Sequence, residues 1–345
     1  LGVSALRLAV KSRAALAALL AVCASCAAPT HDRAPSTAIR RVERAVSLMG
    51  TQVELVAYAA DAEAAAASLD AVVRQLEAIE EELSTWRDDT VLAAFNRHPV
   101  GERWRIPGRL CAEIGEVLEW QKATGGAFDP FIRALVDAWG IREEGRVPSA
   151  QELDAARRNS GAHLVEYNRE ECWLRRTRDV RIDEGAFGKG LALDRLKDLA
   201  LPFPLTAWLA NLGGHVAVYG RPPEPWKIGV AHPYERDRTM FDVRLDSGSF
   251  DTSGESERDR MVGATRVRHI IDPRNGRPAT FSGSVAVWHE RAFVADIVAT
   301  ALYVMGPDEG LRWAEQSGFA VMFLVPASTG DVNIRSTTAF RRKFR

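Results

Sequence analysis

Apolar and polar positions alternate at Val53, Leu55 and Ala57, the pattern of a half-buried strand. The period then lengthens. From Asp61 to Leu83 the residues Leu69, Val72, Val73, Leu76, Ile79 and Leu83 recur at helical spacing and define one long amphipathic helix. A second helix is expected from about Arg109 to Ala123, with Ile114, Val117 and Leu118 facing inward. Ser149 and Glu152, after Pro148, have the spacing of a capping box opening a third. Beyond it the texture is strand-rich. Short strands are expected at Leu164–Tyr167, Cys172–Arg176, Val180–Asp183, Trp208–Asn211, Val216–Tyr219, Lys227–Ala231 and Val267–Ile271. Helices at Leu191–Leu199, Phe293–Met305 and Gly310–Glu315 interrupt or follow them, before a final apolar run, Phe319–Val325. Strands mostly neighbour strands and no βαβ rhythm appears. The expected class is therefore α+β, with antiparallel sheets and helices packed outside.

The N-terminal pattern differs from the rest. Arg7, Lys11 and Arg13 precede an apolar stretch from Ala14 to Ala24, and small residues follow. That order predicts a secretory leader, over a run too short to span a membrane comfortably. Cys23 and Cys26 stand where a lipoprotein cysteine would stand. The expected organisation is a leader over residues 1–28, a tether over 29–40 and a single domain over 41–345. The expected place is the periplasmic side of the inner membrane, reached through a lipid anchor. With 45 Lys+Arg against 46 Asp+Glu, no bulk field draws the chain to nucleic acid. Charge needed for a phosphorylated ligand must be local. Cys111 and Cys172 stand alone, in neither a CxxC pair nor a zinc spacing, and Cys111 lies on an apolar helix face as a core residue.

Four segments are rich in glycine or acid where packing does not require it. Asp183 to Gly190 ends a strand in an acid, turns through Gly185 and Gly188, and starts a helix near Lys189. Free amides at a helix start beside an ammonium make an anion site, although the spacing is not that of a P-loop. Asp296 and Thr300 share one helix face, so a carboxylate and a hydroxyl can grip one cation, and oxygen donors suit magnesium. His269, before Asp272-Pro273 and after Thr252-Ser253-Gly254, could take a proton from an attacking hydroxyl. Gly125 to Pro130, with Trp139-Gly140 behind it, reads as a turn beside a buried Trp. Each alone has a plain alternative: a surface turn, a solvated helix face, or a hydrogen-bonded structural histidine.

In order along the chain, these segments resemble the ApbE family of FAD:protein FMN transferases. The matching pieces are Met49-Gly50-Thr51, Ser84 to Trp86 with Asn96, Gly126 to Pro130, Asp183 to Gly190, Asn211 to Gly214, Thr252 to Gly254, His269 to Pro273, and Ala295-Asp296 with Thr300. They cover residues 49 to 300. The resemblance implies a flavin transferase fold with a cleft between two lobes. It implies that Asp296, Thr300 and the carbonyl of Ala186 hold Mg2+ bridging the FAD pyrophosphate. Lys189 and the amides of the Gly185–Gly190 turn would lie at the phosphates. Met49, Trp86, Asp129, Asp183 and Ser253 would contact flavin or adenosine, and His269 would be the general base. A Ser or Thr hydroxyl of an acceptor protein, such as a redox-pump or electron-transfer subunit, would attack the FMN-side phosphorus and release AMP.

This chain departs from the family pattern at three places. Glu184 replaces an apolar residue and Gly188 an alanine, which predicts a looser anion turn, and Asn275 replaces a threonine. Other readings share the same site. Water in place of the acceptor hydroxyl would give an FAD pyrophosphatase, and FMN and AMP formed without acceptor would reveal it. A tethered flavin carrier would need no metal at the pyrophosphate. A purely structural exported domain would use its glycines only for turns.

Overall fold

The computed structural model describes residues 39–344 except 236, 255–258, 264 and 328–330. The leader and nearly all of the tether lie outside the described residues. Among those described, no helix is long and apolar enough to cross a membrane.

An eight-stranded antiparallel sheet forms the centre. Its order is Arg40–Leu48, Thr51–Ala59, Ala207–Leu212, His215–Gly220, Gly248–Gly254, Ser284–His289, Ala320–Pro326 and Val332–Ser336. The first two strands join through Met49-Gly50, both at positive φ (51° and 67°), as a two-residue hairpin turn requires. The alternation seen at Val53, Leu55 and Ala57 continues across the sheet. Those residues, with Trp208, Ala210, Ala217, Val285, Val287, Val321 and Phe323, face one core. Leu209, Val216, Val218, Phe250, Ala286, Met322 and Leu324 face a second core on the opposite side. Because both faces are covered, the central strands read as nearly continuous apolar runs.

Helices cover the first face. Ala62–Leu83 is capped by Asp61, whose side chain accepts the Ala64 amide, and buries Leu69, Val72, Leu76, Ile79 and Leu83. Gly188–Lys197 packs beside it, and Ala292–Gln316 packs in turn on Gly188–Lys197. The hairpin Trp226–Ala231/Thr239–Leu245 and the C-terminal helix Thr338–Lys343 contribute to the second core. The capping box at Ser149 forms in full, opening Ala150–Arg158.

Several expectations are corrected. Val180–Asp183 is extended but pairs with no strand. The Asn96 side chain instead holds both the amide and carbonyl of Ile182, and the Asp183 amide donates to the Pro130 carbonyl at 2.8 Å. The strand expected over Val267–Ile271 is interrupted, with Thr265–Val267 and Ile271–Asp272 belonging to separate hairpins. The two helices expected near the C-terminus, by contrast, are both present within Ala292–Gln316, separated by a break at Gly306 (φ 73°, ψ 175°) before Pro307. Cys111 and Cys172 do not stand alone. They form a disulfide, with Cα atoms 5.5 Å apart, that pins the Leu110–Ala123 helix to the start of the Trp173–Arg176 strand.

Candidate active site

The site begins where the Gly188–Lys197 helix meets the Ala292–Gln316 helix. Gly190 permits the approach, since a Cβ there would stand 2.5 Å from the Ala292 carbonyl oxygen and 2.7 Å from the Asp296 Cβ. The bare backbone places the Gly190 amide 2.7 Å from Asp296 Oδ2, and the Lys189 ammonium lies 3.2 Å from Oδ1. Asp296 is only 1% exposed. Burial would raise its carboxyl, but Lys189, His215 and the Gly190 amide together outweigh burial and hold it below the usual carboxylate range. Lys189 and Asp296 thus share one spot, and the half-buried Thr300 lies one helical turn further on. Asp296 and Thr300 offer oxygen donors of the kind a hard divalent cation takes, and the Asp296 carboxylate already faces a cationic group.

Behind Asp296 the sheet supplies two ionisable groups that sequence reasoning missed. His215 and Asp251 sit on neighbouring strands, both on the helix-covered face. His215 Nδ1 lies 3.5 Å from Asp251 Oδ1 and 3.8 Å from Asp296 Oδ2, while Nε2 is 2.8 Å from Ser249 Oγ. Ligand atoms of the three residues lie within 4.8 Å of one another, and all three are buried. Burial pushes the Asp251 carboxyl up, against the pull of His215 and Lys189. Each stands in an apolar strand run, and period-two alternation turns both toward the core. That signal was present in the sequence. Ser253 lies two residues beyond Asp251 on the same face of the strand.

The other end of the lysine turn is fastened to the Trp86 loop. Asp183 caps the turn by accepting the Gly185 amide at 2.9 Å. Arg142, also missed, donates to Asp183 Oδ2 at 2.5 Å and to the Thr85 carbonyl and hydroxyl at 2.6 Å each. Its guanidinium lies 4.4 Å from the centroid of the Trp86 ring, which is 57% exposed. Glu184 is buried and accepts both the amide and hydroxyl of Thr85. Burial and neighbouring Asp183 push its carboxyl up. Glu184 therefore ties the anion turn down. The expected loosening is not found.

Asp129 is buried, but its oxygens are taken by the amides of Phe131 and Ala162, both at 2.9 Å, and by Gln121 at 3.3 Å. It shapes the loop whose next residue, Pro130, holds the Asp183 amide. Met49 adopts a positive φ that a side chain rarely takes, and its amide donates to Glu80 at 2.8 Å. Asn275 braces the Asp272-Pro273 turn, donating to Asp272 at 3.0 Å and accepting the Arg277 amide at 2.8 Å. His269 is bonded through Nδ1 to Asp259, and Trp139, buried as expected, donates to the Gly276 carbonyl at 2.8 Å. Two surface concavities lie elsewhere: one along Glu113, Glu116 and Trp120, the other between Glu82 and Arg109. Neither includes Lys189 or Asp296.

The ApbE family model matches residues 49–323, most of the chain and all the segments that form the site. The chain belongs to the ApbE family. It is 29% identical over 260 residues to an FAD:protein FMN transferase of Vibrio cholerae, covering 72% of this chain and 77% of the relative. The crystal structure of the ApbE protein of Thermotoga maritima superposes with a TM-score of 0.81 at 28% identity, covering 89% of this chain and all of that one. The apo flavinyl transferase ApbE of Pseudomonas stutzeri gives 0.76 at 27% identity, covering 89% and 97%. The α+β class is that of the family, and the chain is a transferase.

Proposed function

We propose that the chain transfers the FMN half of FAD to a Ser or Thr hydroxyl of an acceptor protein and releases AMP, with magnesium bound at Asp296. The single observation that carries this reading is the junction of Lys189, the Gly190 amide and buried Asp296. It brings an ammonium, a helix start and an anionic oxygen ligand to one point. Phosphoryl transfer chiefly requires alignment and charge neutralisation. Asp296, Thr300 and the Ala186 carbonyl would hold the ion, which acts as Lewis acid and template when bound. Lys189 and the turn amides would take the phosphate oxygens. Trp86, backed by Arg142, offers an exposed ring for stacking against flavin or adenine, with Met49, Asp183 and Ser253 as further contacts. His269 would accept the hydroxyl proton.

The acceptor class proposed is a redox-pump or electron-transfer subunit on the periplasmic side of the inner membrane, with this chain exported and anchored through its leader. The disulfide supports an oxidising compartment, because such bonds persist there and are rare in the cytosol. The test is incubation with FAD, magnesium and a peptide library bearing Ser and Thr, read by mass spectrometry. An adduct of FMN mass on a hydroxyl is expected, lost with chelator and in Asp296→Ala. An adduct that survives both treatments rules out the metal assignment. FMN and AMP formed without any adduct would make the chain a pyrophosphatase instead.

A further inference from the structure

Asp259 lies in the approach to the Arg260–Val262/Thr265–Val267 hairpin, yet its side chain is only 5% exposed. Carboxylates in such segments ordinarily stay in water, and burial needs compensation. Here one oxygen faces one residue twice. Asp259 Oδ1 accepts the backbone amide of His269 at 3.1 Å and lies 2.9 Å from His269 Nδ1. A two-point grip fixes both the position of the residue and the rotation of its ring. The other oxygen lies 3.4 Å from the Arg266 guanidinium. His269 and Arg266 outweigh burial and hold the Asp259 carboxyl below its usual range, so it is an ionised acceptor near neutrality. An ionised carboxylate only accepts. It therefore selects the imidazole tautomer with its proton on Nδ1, which puts the basic lone pair on Nε2.

We propose that Asp259 is the positioning residue for His269, holding the Nδ1–H tautomer and the ring orientation in which Nε2 serves as base. The inference rests on the reading of His269 as the group that deprotonates the acceptor. In the step, the acceptor O–H proton moves to Nε2 and the freed oxygen pair forms the new bond to the FMN-side phosphorus. The bond from that phosphorus to the bridging oxygen breaks, and its electron pair leaves on AMP. The imidazolium then carries protons on both nitrogens, facing the Asp259 charge. Asp259 takes no proton itself. A carboxylate in this relation to a histidine base acts by orientation and by stabilising the cation.

The alternative is that Asp259 merely fastens the hairpin, and the experiment separates the two. The full chain is assayed with FAD, magnesium and an acceptor peptide as wild type, Asp259→Asn, Asp259→Ala, Asp259→Glu and His269→Ala. The 15N shifts of the His269 ring are read in labelled protein. Wild type is expected to show the Nδ1–H tautomer. Asp259→Asn and Asp259→Ala should lose about 10- to 100-fold in kcat, with KM for FAD within about twofold, against the roughly 100- to 10,000-fold that a positioned base supplies. Asp259→Glu should restore part of the loss. An Nε2–H tautomer in wild type overturns the proposal without any variant. So does full kcat in Asp259→Asn when His269→Ala is inactive. Full transfer by His269→Ala would instead remove the base assignment, and the proposal with it, while the spectrum would still report whether Asp259 sets the tautomer.

Discussion

Replacing Gly190 with alanine puts a methyl group into the contact that joins the lysine turn to the Asp296 helix. In an unconstrained helix interior the change would stabilise by about 1 kcal/mol. Here the new Cβ would meet the Ala292 carbonyl oxygen at 2.5 Å, Asp296 Cβ at 2.7 Å and Phe293 Cα at 2.8 Å, whereas ordinary contact begins at 3.4 Å. Two helix backbones must part by roughly 0.9 Å, in an interior too closely packed to absorb it freely. Overpacking of this kind costs about 1–3 kcal/mol. The parting also stretches the 2.7 Å bond from the Gly190 amide to the Asp296 carboxylate, and a bond to a charged group is worth about 1.5–3 kcal/mol. After the propensity gain, a net loss of about 1.5–5 kcal/mol is expected. For a chain of this size that lowers Tm by about 2–7 °C by calorimetry. Gly188→Ala is the internal control, because its Cβ would meet only the Glu184 side chain, at 3.2 and 3.3 Å. That variant should stay within about 1 kcal/mol of wild type. A Gly190→Ala protein as stable as wild type, or less affected than Gly188→Ala, would show that the close approach does not constrain this site.

Arg195 is buried between Glu82 and Glu113, so Arg195→Met should cost about 3–5 kcal/mol in urea unfolding by stranding two carboxylates. Adding Glu82→Gln and Glu113→Gln to it should recover much of that loss. Reduction of Cys111–Cys172, which closes a separation of 61 residues, should lower stability by at most about 4 kcal/mol; a Cys111→Ser/Cys172→Ser variant should match the reduced protein and stop responding to reductant. The Ser149 amide and Arg146 depress the Glu152 carboxyl from 4.5 to about 2. A depressed acid contributes stability above its unfolded pKa and loses it as pH falls through the folded one. Acid titration of Tm from pH 5 to 2 should therefore bring wild type toward Glu152→Gln, the gap closing across that window.

Local pattern carried the long helices and about half of the strands, because hydrophobic period and caps act over a few residues. Arg40–Leu48, Gly248–Gly254, Ser284–His289 and Val332–Ser336 of the central sheet were not among those expected. The Ala62–Leu83 helix, with Asp61 as its cap, and the Ser149 capping box are of this kind. What lay beyond reach depended on partners distant in sequence. The register that sets Val53 opposite Leu212 joins segments far apart in the chain, and no local signal encodes it. Val180–Asp183 has strand composition, but Asn96 and Pro130 satisfy its backbone in place of a neighbouring strand. The same division runs through the site. Glycines and acids in unusual places made the Lys189 turn and Asp296 visible. His215 and Asp251 were legible as polar residues that strand alternation turns toward the core, and Arg142 and Asp259 only as charges, since the partner that justifies each lies on another element. Glu184 shows the consequence most directly. Taken with its sequence neighbours it looks like a charge that loosens a turn, whereas its contact with Thr85, far back in the chain, makes it the peg that holds the turn to the Trp86 loop. A buried charge is readable from sequence as a cost, and only the fold shows what offsets it.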